Sequence, residues 1–286
     1  SSSSAASDVY KRQKFAYNYD FLRIKMLIDL HNHTPLCNHA SGTPREFALK
    51  ACELGCKYFG FSDHGFMNYD LAYRMSKTQI PFYQALINEV RAEFSNKMEI
   101  LLGFEADFMS DKKLMSDEIN HAKCDYLIGS VHFLNTWGFD NPEFIANYAN
   151  KNIDTLYEDY FQALCEMIKS ELFDIVGHID LIKIFNYRPK RDIRQYAKPA
   201  IKLAKSKNMA IELNTAGYRK PCAQLYPSDE ILELMAEIGV KITFGSDAHS
   251  IDQIGLNMDK AIAKAKEFGF NKASIFKNRQ MIELKF

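Results

Sequence analysis

The sequence lacks several features that would define its class directly. Its six cysteines include no Cys-x-x-Cys pair, its formal net charge is zero, and no apolar run is long enough to span a membrane. A chain without net charge has no overall field that attracts nucleic acid or an anionic membrane, so neither is expected as a partner. Scattered single cysteines favour a reducing, cytoplasmic setting over a disulfide-stabilised secreted one.

The first segment, residues 1–25, lacks the apolar periodicity of the rest of the chain. It has no long apolar stretch before a small-residue cleavage site, so a secretory signal is not predicted. We interpret residues 1–25 as a flexible tail or as an artefact of translation or cloning, with Met26 as the native start. Residues 26–286 are predicted to form one domain, because 47% hydrophobic and 25% charged residues are typical of a globular protein.

Strands and helices alternate along this domain about seven times. Apolar runs predict strands at about 26–30, 58–61, 98–104, 126–131, 173–177, 209–213 and 240–244, with helical segments between them. This alternation predicts an α/β fold with a parallel sheet, and polar residues after nearly every strand favour a closed or nearly closed, TIM-like (β/α) barrel. An open doubly wound sheet is the alternative, but its usual glycine-rich loop after the first strand is missing.

Histidines are concentrated at the predicted strand ends. Of the eight histidines, the following lie at or just past such an end: His31, His33, His39, His64, His132, His178 and His249. Glu105 and Asp247 occupy equivalent positions. These nine nitrogen and oxygen donors would meet at one mouth of a barrel, where they suit borderline cations such as Zn²⁺, Fe²⁺ or Mn²⁺. They are too many for one ion, so two or three divalent metal ions are expected.

The strand ends also carry a series of short motifs in a fixed order. They are His31-x-His33 with His39, Ser62-Asp63-His64, Gly103-Phe104-Glu105, Gly129-Ser130-Val131-His132, Gly177-His178-Ile179-Asp180 and Gly245-Ser246-Asp247-Ala248-His249. From about residue 27 to residue 250, this series resembles the PHP (polymerase and histidinol phosphatase) superfamily. Within the superfamily, the chain is most similar to the monofunctional histidinol-phosphate phosphatases. The resemblance implies a distorted seven-unit (β/α) barrel with three metals at the C-terminal ends of its strands.

The resemblance also implies three sets of ligands that share one bridging carboxylate. The first metal would be held by His31, His33, Glu105 and Asp247. The second would be held by Glu105, His132 and His178, and the third by His39, His64 and His249. Cys37 lies inside the histidine loop, and we interpret it as a bystander thiol, with a metal contact as the alternative.

The chemistry of such a centre predicts a phosphatase. Two cations about 3.5–4 Å apart can share a water and lower its pKa from ~15.7 towards ~7, and the hydroxide then attacks phosphorus. The resemblance implies that the substrate is L-histidinol phosphate, an intermediate of histidine biosynthesis. Two alternatives stay open: a phosphoesterase acting on a phosphotyrosine protein, a nucleic-acid 3′ end or another small phosphomonoester, and a metalloprotein without activity.

Further residues are assigned roles around the metals. Predicted catalytic residues are Glu105, Asp247, His249 and Asp63. Predicted substrate-binding residues are Arg188, Arg219, Asn214 and Asp180, with the guanidinium groups bound to phosphate. Asp63 and Asp180 adjoin ligand histidines, so hydrogen bonds to imidazole, a general-acid role and a partner for a substrate amine are all considered. Asp107 is a possible substitute for Glu105 as the bridging ligand.

Overall fold

The strands and helices alternate through the computed structural model, which describes residues 28–286; the predictions for residues 1–25 and Met26 lie outside it. The strands are β1 (Ile28–Asp29), β2 (Tyr58–His64), β3 (Glu99–Asp107), β4 (Tyr126–Ser130), β5 (Phe133–Leu134), β6 (Trp137–Gly138), β7 (Ile175–Val176), β8 (Ala210–Asn214), β9 (Lys241–Gly245), β10 (Lys272–Lys277) and β11 (Gln280–Lys285). The α-helices are α1 (Pro44–Glu53), α2 (Ile80–Phe94), α3 (Asp117–Asn120), α4 (Ile153–Lys169), α5 (Ile193–Ser206), α6 (Asp229–Ile238) and α7 (Met258–Glu267).

Seven of these strands form one parallel sheet in the order β1-β2-β3-β4-β7-β8-β9. The two outer strands also meet, because the Leu30 amide donates to the Phe244 carbonyl at 2.9 Å and Asn32 bridges to Ala248. The sheet is therefore a nearly closed α/β barrel, and the predicted fold class is confirmed. All seven strands end at the same mouth, where parallel barrels place their sites.

The ends of the helices follow the local sequence. At α1, the Thr43 hydroxyl accepts from the Glu46 amide at 3.2 Å and the Glu46 carboxylate accepts from the Thr43 amide at 2.8 Å, which forms a capping box. Helix α6 ends at Gly239, whose φ of 74° suits a residue without a side chain. Ser228 lies at the N-cap position of α6, but its hydroxyl makes no capping bond. Its amide instead donates to Asp180 at 2.8 Å.

Tyr126 fills the centre of the barrel. Its hydroxyl donates to the carbonyl of Leu30 at 2.6 Å, so β4 is tied to the segment after β1 across the barrel. Two glycines make room for the ring: a Cβ on Gly60 would lie 2.0 Å from the hydroxyl oxygen, and one on Gly103 would lie 2.5 Å from ring carbons. The glycines of β2 and β3 therefore allow an aromatic residue to pack beneath the site.

Two hairpins lie outside the seven strands predicted from the sequence. Strands β5 and β6 form one, and Phe139 just after it packs edge-on against Tyr160 in the core. Strands β10 and β11 form the other. At its turn, the Arg279 amide donates to the Asp125 carbonyl at 2.8 Å and the guanidinium binds Asp174, which covers the amino end of the barrel. Within residues 28–286, no helix has the length and apolarity needed to span a membrane.

Candidate metal centre

His31 and His33 lie just beyond the carboxyl end of β1 and are completely buried. Their ring centroids are 5.1 Å apart. Asp29, the last residue of β1, accepts hydrogen bonds from the Ser246 amide at 2.9 Å and from the Ser246 hydroxyl at 2.5 Å. These bonds fix the histidine segment to the loop after β9, which carries Asp247. The first and last strands of the barrel therefore build one wall of the site together.

Glu105 lies at the centre of the histidine cluster. Its Oε1 is 3.0 Å from His178 Nε2 and 3.5 Å from His132 Nε2. Its Oε2 is 3.1 Å from His64 Nδ1 and 3.3 Å from His31 Nε2. The sequence placed Glu105 just after a strand, whereas β3 continues to Asp107 and Glu105 lies within it. One carboxylate thus faces rings from four other strand ends, which is the position of a bridging ligand.

Asp247 adopts a left-handed backbone conformation with φ of 52°. Such a conformation costs about 1–3 kcal/mol for a residue other than glycine, so its surroundings must maintain it. Arg219 Nη2 does so by donating to the carbonyls of Ser246 at 2.8 Å and Asp247 at 3.0 Å. The turn brings Asp247 Oδ1 to 3.1 Å from His33 Nε2 and 3.8 Å from His31 Nε2. The Asp247 carboxylate is therefore a second acidic donor beside the paired histidines.

The donor atoms gather in neighbouring groups whose members lie within 4.8 Å of one another. These groups are His31, His33 and Asp247; Glu105, His132 and His178; His33, His64 and His249; and Cys37, His39 and His249. His39 thus stands apart from the His31 group: its ring centroid is 4.7 Å from that of His249 and 5.3 Å from that of His64. Several adjacent groups provide positions for more than one cation.

Several ring nitrogens in the cluster are buried without a hydrogen-bond partner. They include His31 Nε2, His64 Nδ1 and His249 Nε2. A buried polar atom left unpaired costs about 1–3 kcal/mol, so a purely structural cluster would not retain several of them. The nitrogens of His31 and His64 lie near Glu105 oxygens without hydrogen-bond alignment. Nitrogen and carboxylate donors that surround a common space fit divalent cations such as Zn²⁺.

The ionisation of the cluster combines charged carboxylates with imidazoles of two kinds. Burial alone would raise the pKa of Glu105, but the rings of His31 and His64 hold it well below its ordinary value. Burial likewise opposes ionisation of Asp247, and His31 and His33 outweigh it, so its pKa is also well below the usual range. Burial lowers the pKa values of His64 and His249, whereas, against burial, neighbouring carboxylates raise those of His31 and His33 and bring that of His132 to about 10. Metal binds to charged carboxylates and neutral imidazoles, so a cation at these donors would displace the protons of His31, His33 and His132.

A cavity of about 650 Å³ opens above the cluster. Its deep end is lined by Glu105, His178 and other cluster residues, and Arg219 forms part of its wall. Toward the opening, Asp140 and Phe144 line it. A cavity of this size accommodates a small phosphorylated molecule rather than a macromolecular surface.

Comparison with known proteins identifies the family. The PHP domain model matches residues 29–216, which carry seven of the nine predicted metal ligands. The chain belongs to the PHP family. A "Probable histidinol-phosphatase" of Deinococcus radiodurans is 39% identical over 258 residues, covering 89% of this chain and 98% of that protein. A "Histidinol-phosphatase" of Bacillus subtilis is 27% identical over 260 residues, covering 79% of this chain and 95% of that protein.

The PHP fold is also evident from a solved structure. A histidinol phosphate phosphatase of Lactococcus lactis superposes with a TM-score of 0.76 at 24% identity, covering 90% of this chain and 99% of that one. That protein was crystallised in complex with zinc, L-histidinol and phosphate. Since the identity is low, the superposition establishes a shared fold, and the ligands are those of the Lactococcus protein.

Glu212 supports the PHP site although the sequence did not single it out. Its Oε1 is 2.7 Å from His31 Nδ1, and its Oε2 accepts from the His178 amide at 3.0 Å and from Asn214 Nδ2 at 3.0 Å. A Cβ on Gly245 would lie 2.0 Å from Glu212 Oε1, so strand β9 accommodates only glycine at this position. The sequence did contain a signal for this residue. Glu212 is a glutamate inside the apolar strand β8, and it lies on the same face as Asn214, two residues further on.

Asp63 lies behind the metal-binding rings rather than in the cavity wall. It is fully buried, and its Oδ1 lies 3.4 Å from His33 Nδ1 and accepts from the His64 amide at 2.9 Å. The Thr34 hydroxyl donates to its other oxygen. Of the roles considered for Asp63, this geometry supports the one in which its carboxylate orients an imidazole ring.

The predicted arginines differ in what they present to the cavity. Arg219 lines it, and its Nη1 is buried without a partner while Nη2 holds the Asp247 turn. Arg188 instead donates to Asn186 at 3.0 Å and to Gln224 at 2.9 Å, and it is absent from the cavity wall. The structure therefore places the Arg219 guanidinium, and not that of Arg188, at the cavity wall.

The other two predicted substrate residues make contacts inside the protein. Asn214 Nδ2 donates to Glu212 and, at 3.2 Å, to Asp247 Oδ2, so it links two acidic side chains of the site. Asp180 Oδ2 pairs at 2.6 Å with Lys183, a completely buried lysine that the sequence did not single out. The Asp180 carboxylate therefore neutralises a buried ammonium beneath the cavity.

Asp107 contacts the predicted metal ligand His132 from outside the donor cluster. Its substitution therefore measures how strongly such a supporting residue affects metal affinity. Its Oδ1 is 2.6 Å from His132 Nδ1, and its Oδ2 accepts from the buried Arg74 at 2.9 Å. An Asp107 carboxylate fixes the proton of His132 on Nδ1 and leaves Nε2 directed at Glu105. We expect Asp107→Asn to weaken metal binding about 10–100-fold, measured by competition with a chelator. Asp159→Asn, an exposed change on α4, is the control; equal affinities in both variants would contradict this role.

Proposed function

We propose that the protein is a metal-dependent phosphatase that hydrolyses L-histidinol phosphate to L-histidinol and phosphate. The observation that carries this proposal is the set of buried, unpartnered imidazole nitrogens around Glu105 at the floor of a cavity that also receives Arg219. Relatives named histidinol-phosphatase over nearly the whole chain support the choice of substrate. The Lactococcus relative in complex with zinc, histidinol and phosphate supports it independently.

The residues that would hold the metal ions are those of the cluster. They are His31, His33, His39, His64, Glu105, His132, His178, Asp247 and His249. When bound, divalent cations supply Lewis acidity, which lowers the pKa of a water and offsets the charge of the phosphoryl oxygens. Zinc is the metal of the Lactococcus relative, and the same nitrogen and oxygen donors also suit manganese or iron.

Side chains of the protein would position the phosphoryl group. The Arg219 side chain lines the cavity, while its Nη2 holds the turn that carries Asp247. Hydrogen bonding to Arg219 therefore aligns the phosphate with the carboxylate that sits beside His31 and His33. Glu105 and Asp247 remain ionised at neutral pH because the neighbouring imidazoles depress their pKa values.

The lining of the cavity suits both ends of the substrate. Carboxylates of Asp140 and Glu143 and the rings of Tyr73 and Phe144 belong to it, as do the cationic groups of Arg219 and Lys220. A cationic amino and imidazole group would be attracted by these carboxylates and can stack on the rings. A lining with both cationic donors and carboxylates matches a molecule with phosphate at one end and amine at the other.

A phosphate-release assay tests the proposal. Protein reloaded with Zn²⁺ or Mn²⁺ is expected to release phosphate from L-histidinol phosphate, to lose this activity with a chelator, and to regain it when metal is returned. A phosphotyrosine peptide and a 3′-recessed duplex, assayed in parallel, should have lower kcat/KM values. Turnover that is unaffected by metal removal, or a higher kcat/KM with either macromolecule, would contradict the proposal. A cytoplasmic location remains the expectation from the scattered single cysteines of the sequence.

A further inference from the structure

Cys37 lies on the floor of the centre, in the loop between β1 and α1. It ends a short 3₁₀ turn, Pro35–Cys37, and its side chain is fully buried. The turn is fixed on both sides: the Thr34 hydroxyl accepts from the Leu36 amide at 3.3 Å, and Asn38 Nδ2 donates to the carbonyl of Arg74 at 3.2 Å. The thiol therefore has a defined position rather than a variable one.

The sulfur lies among donor atoms of the metal centre. Cys37 Sγ, one ring nitrogen of His39 and one ring nitrogen of His249 all lie within 4.8 Å of one another. A second group places the sulfur equally close to donor atoms of His33 and Asp63. Metal–nitrogen and metal–sulfur bonds of about 2.0–2.3 Å place tetrahedral ligands about 3.3–3.8 Å apart, so a small inward movement of these side chains would let the three atoms share one ion.

Two ring nitrogens beside the sulfur are available for a cation. His39 Nδ1 donates to the Cys37 carbonyl at 2.8 Å, which leaves its Nε2 as an acceptor. His249 Nδ1 is 3.1 Å from the Asp247 carbonyl, and its Nε2 is buried with no hydrogen-bond partner. An unpartnered buried nitrogen next to a buried thiol and a second imidazole is an independent indication that a ligand binds there.

We propose that Cys37 Sγ is a ligand of the metal bound by His39 and His249. The three groups that lack Cys37 offer nitrogen and oxygen donors alone, so this position would be chemically distinct from them. A thiolate favours zinc over harder ions such as Mn²⁺ and Mg²⁺, which prefer oxygen. The centre would thus hold zinc selectively at one position and accept a wider range of metals at the others. This inference rests on one part of the proposed function, namely that the site binds metal.

Cobalt substitution tests the assignment directly. The wild-type protein is stripped of metal and reloaded with Co²⁺, and a thiolate-to-cobalt charge-transfer band is expected in the near ultraviolet. Cys37→Ser should abolish that band. It should also lower the affinity for zinc by roughly 10–100-fold or more, because loss of a residue that only hydrogen-bonds a metal ligand already has an effect of that size. Cys165→Ser, which removes another buried cysteine from α4, should keep both unchanged.

X-ray absorption spectroscopy on the wild-type protein requires no variant. The zinc edge of the reloaded protein is expected to show a zinc–sulfur scattering distance of about 2.3 Å. Absence of the charge-transfer band, or of sulfur scattering at the zinc edge, would overturn the assignment. These readouts do not depend on turnover: a band in a protein without phosphatase activity refutes the proposed function alone, and activity without a band refutes the role of Cys37 alone.

Discussion

Glu105→Gln is expected to lower kcat/KM for L-histidinol phosphate by about 10³-fold or more, at or beyond the upper end of losses from single charge-stabilising groups. Glu105 faces His31, His64, His132 and His178 with its two oxygens, so this one change removes the negative charge shared by several ligand groups. The metal content after dialysis should fall together with activity. Steady-state kinetics and metal analysis of the same sample measure both effects.

The control for this variant lies on the same strand. Glu99 begins β3 at the opposite end of the barrel and pairs with Lys277 at 2.6 Å on the surface. Exposed ion pairs contribute about 0–1 kcal/mol, so Glu99→Gln should retain activity and metal. If Glu105→Gln kept full metal content and wild-type turnover, Glu105 would not be the bridging ligand of the centre.

Arg219→Met is expected to lower kcat/KM by about 10²–10³-fold, the usual loss when one preorganised donor to a developing charge is removed. Methionine keeps much of the apolar stem but removes Nη1, the buried donor without a partner, and Nη2, which binds the carbonyls of Ser246 and Asp247. Metal content should fall less than in Glu105→Gln, because this variant keeps every ligand and loses only support of the turn that carries Asp247. Phosphate inhibition should also weaken, because the product carries the same anionic group.

Two further arginines make this prediction specific. Arg188→Met should lose less than Arg219→Met, since the Arg188 guanidinium is already bound to Asn186 and Gln224. Arg45→Met removes an exposed arginine that pairs with Glu93 on the outside of the barrel, and it should behave like the wild type. An equal loss in the variants at 188 and 219 would mean that both side chains reach the phosphate during turnover.

The convergence of the histidines could be predicted from the sequence because it depends on a single topological rule. Once strands alternate with helices, all parallel strands end at one mouth, so His64, His132 and His178 must approach each other wherever they lie in the chain. The rule needs neither exact strand lengths nor side-chain conformations. Strands β1 and β7 have two residues each, and the prediction of the site was unaffected.

The surrounding charged network could not be predicted in the same way. Glu212 and Arg74 find their partners 181 and 33 residues away, and no periodicity of the sequence encodes those pairings. A buried charge in an apolar strand indicates that some partner exists, but not which one. For the same reason, the chain order did not distinguish Arg188 from Arg219: both follow a strand, and only the packed loops determine which guanidinium faces the cavity.

The contact between β1 and β9 joins catalysis to the integrity of the barrel. Beyond Leu30, it is formed by the His33 amide, which donates to the Ala248 carbonyl at 2.9 Å, and by the Ala248 amide, 3.3 Å from the His31 carbonyl. Cations held by His31, His33 and Asp247 would stabilise this seam, so part of their binding free energy is the free energy of closing it. Removal of metal should therefore destabilise the contact between β1 and β9 selectively. The backbone amides of this contact should then exchange their hydrogens sooner than those of the long β2–β3 ladder.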